Sequence, residues 1–424
     1  MRTVVRMREA GDGRRQPRSR RDGLLLLAFF LSGAAALGYE ITWTRLLSLV
    51  LGTEAMSMLG VVAGFFSGLA LGAWMTNGAV RRSPCPARLY AKLEVCIAVY
   101  GVLCPYLLLA LQGILPGMLS GLPGGGAALP AFSINLLIGG LLVLPATFCM
   151  GATFATMVRL HALYCRGRGD VRIGRLYAAN TAGAVVGILG VLHGLLPALG
   201  IPAAAAALAV LNLLSAGAVL TWARGLARPA AAAGPAPTAP SDASPGRRRV
   251  IFITLCLTGM AGIGLEVVGI QVLRLSFQNS VYTFAGIVAV FILGQAGGAR
   301  LYAAVVKRRP VRRAVEGGRL GLLLVGLALS CCVTGWLLRA VSPAFEAFVP
   351  AAVGHAPRTL LELAVSFLVF APVTVLMGAA FTALMSGLPA ADIGHGYALN
   401  HLGSAAAPFV LGVAVIPHAG FGHS

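Results

Sequence analysis

Two glutamates end closely similar apolar segments that lie 226 residues apart in the chain. Glu40 closes the segment LSGAAALGYE at 31–40, and Glu266 closes LTGMAGIGLE at 257–266. A charged side chain in the middle of a membrane helix costs about 2.5–3.5 kcal/mol on insertion scales. Two such groups at the same place in a repeated segment indicate a paired acidic site that binds a cation or a proton.

An ion pair is the alternative role for these acids. Arg45 follows Glu40 by five residues, and Arg274 follows Glu266 by eight. A Glu–Arg pair within or between helices would hold the bundle in shape without binding anything. The sequence leaves the cation site and the ion pair open.

Further polar residues recur near one end of two equivalent apolar segments. They could line a cavity together with the glutamates, although interfacial Tyr and helix-packing Asn are the alternative. These candidate binding residues are Tyr177, Asn180, Tyr397 and Asn400.

The composition predicts an all-α integral membrane protein. Hydrophobic residues make up 58% of the 424 residues and charged residues only 11%, less than half of the roughly 25% usual in soluble domains. Continuous apolar runs long enough to cross the bilayer favour helices over the alternating strands of a barrel. The predicted spans number eleven: 23–50, 55–80, 89–115, 132–160, 177–199, 201–223, 250–275, 281–306, 318–340, 361–387 and 397–418.

The positive charges predict the orientation of these spans. Of the 33 Lys and Arg residues, 28 fall in alternate connections, within 1–22, 81–92, 159–175, 224–249 and 307–319. This positive-inside pattern predicts a multi-pass membrane protein with a cytoplasmic amino terminus. It also explains the net charge of +20 without nucleic-acid binding. The basic tail would add attraction to anionic lipid.

The cysteines and histidines suggest no metal site. The eight Cys and seven His are dispersed, and no pair has metal-ligand or disulfide-framework spacing. We therefore expect no cofactor. The first apolar run follows a long Arg-rich segment without a credible cleavage site, so it is interpreted as a retained helix.

The repeat continues along the chain and predicts its organisation. Pro145 corresponds to Pro372, Tyr177 to Tyr397 and Asn180 to Asn400, in the same order in both halves. Because the first unit has an even number of spans, both units run in the same direction, as in major-facilitator halves. The expected regions are a basic tail (1–22), a six-helix repeat (23–226), a Pro/Ala-rich cytoplasmic linker (227–249) and a second repeat one helix short (250–424).

Glycines spaced four residues apart predict a smooth helix face. Such faces allow helices to pack closely, and a sliding interface between halves is the alternative. The glycines are Gly60, Gly64, Gly68 and Gly72 in the first half and Gly294 and Gly298 in the second.

Several motifs resemble the membrane region of bacterial fused major-facilitator/spermidine-synthase proteins. They are LSGAAALGYEITWTRLL (31–47), GLALG (68–72), MGATF (150–154) and GRLYAANTAGA (174–184). The resemblance implies a protein of the bacterial inner membrane with a major-facilitator-like fold. In that family, a synthase-like domain follows the last membrane helix. No matching soluble stretch occurs in this sequence, so we do not expect an enzyme. Gln271 and Gly269 depart from the pattern, at the positions of Arg45 and Trp43.

Two functions follow as expectations. The first is a secondary transporter of a small, cationic or polyamine-like solute that uses Glu40 and Glu266. The second is a membrane partner or anchor for a separately encoded aminopropyltransferase, as the family resemblance implies. An enzyme in its own right is disfavoured because no catalytic constellation stands out.

Overall fold

The computed structural model describes most of the chain as a bundle of long helices. The described residues are 18–51, 54–120, 128–164, 169–224, 245–273, 276–277, 281–308, 313–349 and 355–410. Within these ranges the regular secondary structure is entirely helical. The helices of the first half are α1 (Arg18–Leu51), α2 (Glu54–Arg82), α3 (Pro86–Ser120), α4 (Ala128–Tyr164), α5 (Gly169–Gly190) and α6 (Leu196–Arg224). Those of the second half are α7 (Pro245–Leu273), α8 (Val281–Arg308), α9 (Arg313–Phe348), α10 (His355–Ser386) and α11 (Ile393–Phe409).

Nine helical stretches of the described residues are long and apolar enough to cross a membrane. The count differs from the eleven predicted spans at two places. Helices α5 and α6 form one continuous stretch, Ile173–Arg224. Helix α11 has only 17 residues, about 25 Å at 1.5 Å per residue. The chain is a multi-pass membrane protein, and the predicted all-α class is confirmed.

Helix α5 runs parallel to α1. A Cβ at Gly183 would overlap the carbonyl oxygen of Phe30, and one at Gly187 would overlap that of Ala34. From the first contact to the second, both helices advance by four residues in the same direction, so they are parallel. A five-residue π-helical segment, Val191–Leu195, follows α5.

Helix α6 returns antiparallel to α1. Leu208 lies against Gly38. Ser215, farther along α6, donates a hydrogen bond from Oγ to the carbonyl oxygen of Ala28 at 2.7 Å. Ala28 precedes Gly38 on α1 by about 2.8 helical turns. The reversal occurs at Gly200, whose φ of 73° and ψ of 177° belong to a region that essentially only glycine occupies. Residues 173–224 therefore cross the bundle twice.

The glycine face of α2 lies against α4. Gly64 faces Gly140, Gly68 faces the side chain of Thr147, and Gly72 faces the backbone of Phe148. In each case a Cβ would overlap atoms of α4. Gly60, one turn before Gly64, is buried too.

Helix α8 packs on α10 in the same manner. Gly294 faces Thr374, and Gly298 faces the backbone of Val375. These are the residues that the repeat aligns with Gly68, Thr147, Gly72 and Phe148. Close backbone approach of this kind gives packing contacts that lipid cannot replace.

One end of the bundle carries a group of arginines, and we call it the basic end. Arg159 donates hydrogen bonds to the carbonyl oxygens of Val80 and Ser83, which close the end of α2. The other arginines at this end are Arg81, Arg82, Arg175 and Arg248.

The expected linker is shorter at its carboxyl side than the sequence suggested. Helix α7 begins at Pro245, so residues 245–249 of the expected 227–249 segment are helical. Arg248 forms a 2.7 Å ion pair with Asp392 just before α11, which attaches the start of α7 to its neighbour. Residues 225–244 lie outside the described part.

Candidate functional site

The two repeated glutamates approach each other from different halves of the bundle. Glu40 lies on α1 and Glu266 on α7, and their carboxyl groups interact electrostatically. Glu266 is 9% exposed and Glu40 is half-buried. Two ionised carboxylates repel strongly in a medium of low dielectric constant, so this arrangement favours an added positive charge. We call Glu40 and Glu266 the acid pair.

The acid pair lies well away from the basic end. Gly33 of α1 contacts Asn180, and Gly259 of α7 contacts Asn400. Each glutamate is seven residues farther along its helix, which corresponds to about 10 Å. The two acids therefore lie at the same depth in the bundle.

The candidate asparagines join helices within each half. Asn180 Nδ2 donates to the carbonyl oxygen of Phe29 at 3.1 Å, linking α5 to α1. Asn400 Nδ2 donates to that of Leu255 at 2.9 Å, linking α11 to α7. Their amide nitrogens thus satisfy backbone groups of α1 and α7, which is the packing role considered for them.

The candidate tyrosines belong to a group of four rings between the halves, which we call the aromatic cluster. It consists of Phe154 of α4, Tyr177 of α5, Phe381 of α10 and Tyr397 of α11. Tyr397 stacks on Phe154 with ring centroids 4.5 Å apart, and Tyr177 lies 4.5 Å from Phe381. The contact between Asn180 and Gly33 sets a common level for the parallel helices α5 and α1. Tyr177 lies three residues before this level and Glu40 seven residues after it. The two side chains therefore differ in depth by ten residues, or about 15 Å.

Hydrogen bonds join the halves on the side of the acid pair where the aromatic cluster lies. Tyr177 Oη donates to Gln295 Oε1 of α8 at 2.7 Å. Asn77 Nδ2 of α2 donates to the carbonyl oxygen of Ala391 at 3.0 Å. His395, in the first turn of α11, packs on Trp74 with ring centroids 4.9 Å apart. The halves thus meet through α5–α8 and α2–α11 near the basic end.

A histidine lies between the aromatic cluster and the depth of the acid pair. His401 of α11 stacks against Phe66 of α2 with ring centroids 5.4 Å apart, and its ring lies 4.1 Å from that of Tyr397. Neither ring nitrogen has a hydrogen-bond partner among the described residues. The residue that the repeat aligns with His401 is Thr181, so the two halves differ here.

The expected arginine partners are only partly within the described structure. Arg45 is half-buried on α1, and Gln271, the residue that replaces it in the second half, is half-buried on α7. Arg274 lies outside the described residues. Within the described part, no group of three or more His, Cys, Asp or Glu side chains could hold a metal ion.

Sequence reasoning missed a third acid. Glu94 of α3 is fully buried, and Asn212 of α6 donates a 2.6 Å hydrogen bond to it. A carboxylate inside the predicted span 89–115 was the available signal, but Glu94 has no repeated counterpart to draw attention to it. Gln295, Phe154 and Phe381 were also missed as members of the contact between halves.

No protein-family model and no curated protein matches the sequence. Among solved structures, the chain is similar to the crystal structure of the human organic anion transporter MFSD10 (TETRAN). The TM-score is 0.54 at 16% sequence identity, and the match covers 94% of this chain and 95% of that chain.

The overall fold is therefore similar to that of this transporter, in line with the major-facilitator-like class expected from the sequence. The match extends over nearly the whole length of both chains. At 16% sequence identity, the similarity supports a shared fold but gives no information about the solute. The site must be interpreted from the side chains of this chain.

Proposed function

We propose that this protein is a secondary transporter of a small organic cation, bound between the acid pair. The single observation that carries the proposal is that Glu40 of α1 and Glu266 of α7 lie at the same depth in different halves, near enough for their charges to interact. A ligand held by one acid from each half would contact both moving parts of a two-half transporter.

The two acids suggest a solute with positive charge at one or two positions. A diamine or polyamine could place an ammonium group on each carboxyl, and a monoamine could share both. A proton bound by the same acids would exchange with such a solute, which would couple transport to a proton gradient. The structurally similar human protein is named for organic anions, so anions are the competing solute class.

Uptake by proteoliposomes tests the proposal directly. Purified protein is reconstituted, a proton gradient is imposed, and uptake of labelled spermidine, putrescine and an organic anion is measured. We expect polyamine uptake, and a loss of about tenfold or more in Glu40→Gln and Glu266→Gln, because each removes a charge from a desolvated site.

Glu362→Gln is the matched control. Glu362 is also a buried acid of the second half, at 3% exposure, but it is paired with Arg358 at 3.5 Å on the same helix. Its variant should keep uptake near that of the unmodified protein. Uptake of the organic anion alone, or no flux of spermidine or putrescine, contradicts the proposal.

The sequence motifs favour a second candidate function. Residues 31–47 and 174–184 resemble the membrane region of fused synthase proteins, so the chain could anchor a separately encoded aminopropyltransferase. Affinity purification of the tagged chain from native membranes tests this. Recovery of such an enzyme supports the anchor role, and its absence from the purified complex excludes it.

We also infer that the basic end faces the cytoplasm of a bacterial inner membrane. The orientation depends on the positive-inside distribution of Lys and Arg, and the bacterial membrane depends on the resemblance of the sequence motifs. In that orientation, the acid pair lies toward the outer side of the aromatic cluster.

A further inference from the structure

Glu94 lies at the junction of three helices in the first half. It is 0% exposed on α3 and faces α1 and α6. Asn212 of α6 is 1% exposed and donates its Nδ2 to Glu94 Oε2 at 2.6 Å. Ser32 of α1 also interacts with this carboxyl. Glu94 is therefore shielded from both lipid and water.

The hydroxyl protons of Ser215 and Tyr90 are already committed to other acceptors, which leaves Ser32 as the remaining hydroxyl near the carboxyl. Ser215 Oγ donates to the carbonyl oxygen of Ala28 at 2.7 Å. Tyr90 Oη lies 2.9 Å from Ser215 Oγ. Because Ser215 has a single hydroxyl proton and uses it on Ala28, the Tyr90 proton must go to Ser215. The phenolic oxygen of Tyr90 is left as an acceptor.

Two oxygens of this junction have no hydrogen-bond partner among the described residues. They are Glu94 Oε1 and Asn212 Oδ1. An ionised carboxylate with an unsatisfied oxygen is strongly disfavoured in a buried apolar site. Turning the Asn212 amide around would exchange its own atoms but would leave Glu94 Oε1 without a donor.

No cation compensates for this carboxyl among the described side chains that face it. Arg88 and Lys92, on the neighbouring turns of α3, are exposed. Helix α6 contributes Asn212 and Ser215, which do not titrate. The titratable groups that interact with Glu94 are Tyr39 of α1 and Tyr90 of α3.

We propose that Glu94 is a proton-binding site, in which a carboxylic O–H donates to the oxygen of Tyr90. Tyr90 is one helical turn earlier on α3 and interacts with the Glu94 carboxyl. The proton completes a hydrogen-bond chain from Glu94 through Tyr90 and Ser215 to the backbone of α1. The bound proton comes from water and returns to it, with no other bond made or broken.

Within the described part of the chain, the repeat gives this site no second copy. The 226-residue shift that relates Glu40 to Glu266 places Leu320 at the position of Glu94. The proton site therefore distinguishes the first half from the second. It is independent of the acid pair and stands whether or not Glu40 and Glu266 bind a cation.

Infrared spectroscopy tests the proposal without knowledge of a solute. The C=O stretch of a protonated carboxylic acid is separate from the bands of a carboxylate. Purified full-length protein is compared with Glu94→Gln at neutral pH in sodium-free buffer. We expect the difference spectrum to show the loss of one protonated carboxyl band in Glu94→Gln. Carboxylate bands alone, or a protonated band that persists in the variant, would overturn the assignment.

Two controls make the result specific. Glu362→Gln, which removes a buried acid paired with Arg358, should remove carboxylate bands instead. Glu94→Asp keeps a carboxyl and should shift the band, which preserves the test if Glu94→Gln does not fold. Addition of sodium chloride, with choline chloride as the reference salt, should leave the band unchanged. Conversion to carboxylate bands on sodium addition would mean a sodium site and would also overturn the proton assignment.

Discussion

The phenolic hydroxyl of Tyr177 donates a 2.7 Å hydrogen bond to the side-chain oxygen of Gln295, which joins α5 of the first half to α8 of the second. Together with the Asn77–Ala391 bond, it closes the bundle between the acid pair and the basic end. Opening of this end requires that both hydrogen bonds break.

Tyr177→Phe removes the first of these bonds and keeps the ring that packs on Phe381. We expect the free energy of unfolding to fall by about 1 kcal/mol, the net value of one intramolecular hydrogen bond. Unfolding in mixed micelles of increasing SDS content measures it. Tyr106→Phe, which changes a tyrosine that is 55% exposed, should cause no comparable loss. Equal stability of Tyr177→Phe and the unmodified protein would contradict the prediction.

Gly298→Ala tests the close packing of α8 on α10. The added Cβ would overlap the carbonyl oxygen of Val375, so the helices must separate. We expect a loss of about 1–3 kcal/mol, as for overpacked cores, measured by the same unfolding assay. Gly297→Ala is the matched control, because nothing lies within 4 Å of its Cβ position. The prediction fails if both variants unfold at the same SDS content.

Gly200→Ala tests the reversal between α5 and α6. Alanine at φ 73° and ψ 177° is strained by about 1–3 kcal/mol, although the surrounding space is open. Gly217→Ala, in the regular part of α6, should instead be neutral or stabilise the protein by about 0.5–1 kcal/mol. Opposite signs of the two changes in unfolding free energy are the expected result.

Labelling of single cysteines tests the inferred orientation. In a background with the native cysteines replaced by serine, Ala390→Cys presents an exposed thiol at the basic end. Phe348→Cys presents one at the last residue of α9, where the side chain is 83% exposed. We expect a membrane-impermeant maleimide to label Phe348→Cys in intact cells and Ala390→Cys only after permeabilisation. The reverse pattern would contradict a cytoplasmic basic end.

The helical membrane fold could be predicted from composition because the bilayer limits the choices. Backbone groups of long apolar runs must be hydrogen-bonded inside the membrane, and a helix does this within a single segment. The boundaries were less predictable. Helix α7 begins at Pro245, within the segment expected to be a linker, and its first turn carries Arg248, which pairs with Asp392 on a distant part of the chain.

The candidate site was predictable only in part. The repeat drew attention to Glu40, Glu266, Tyr177 and Tyr397, and these residues lie between the halves. It could not reveal that Asn180 and Asn400 donate to backbone carbonyls of α1 and α7, since a hydrogen-bond partner depends on side-chain direction. Glu94 was overlooked because its partner, Asn212, is 118 residues away.

The sequence by itself determined that the protein lies in a lipid bilayer, that it is helical and that acids occur at two equivalent places in its apolar helices. These properties depend on local composition and spacing. Only the tertiary structure decided that the two acids interact, that four rings meet between the halves and that a third acid is enclosed by α1, α3 and α6. The physical reason is that each of these relations joins helices far apart in sequence, whose contacts are set by the packing of the whole bundle.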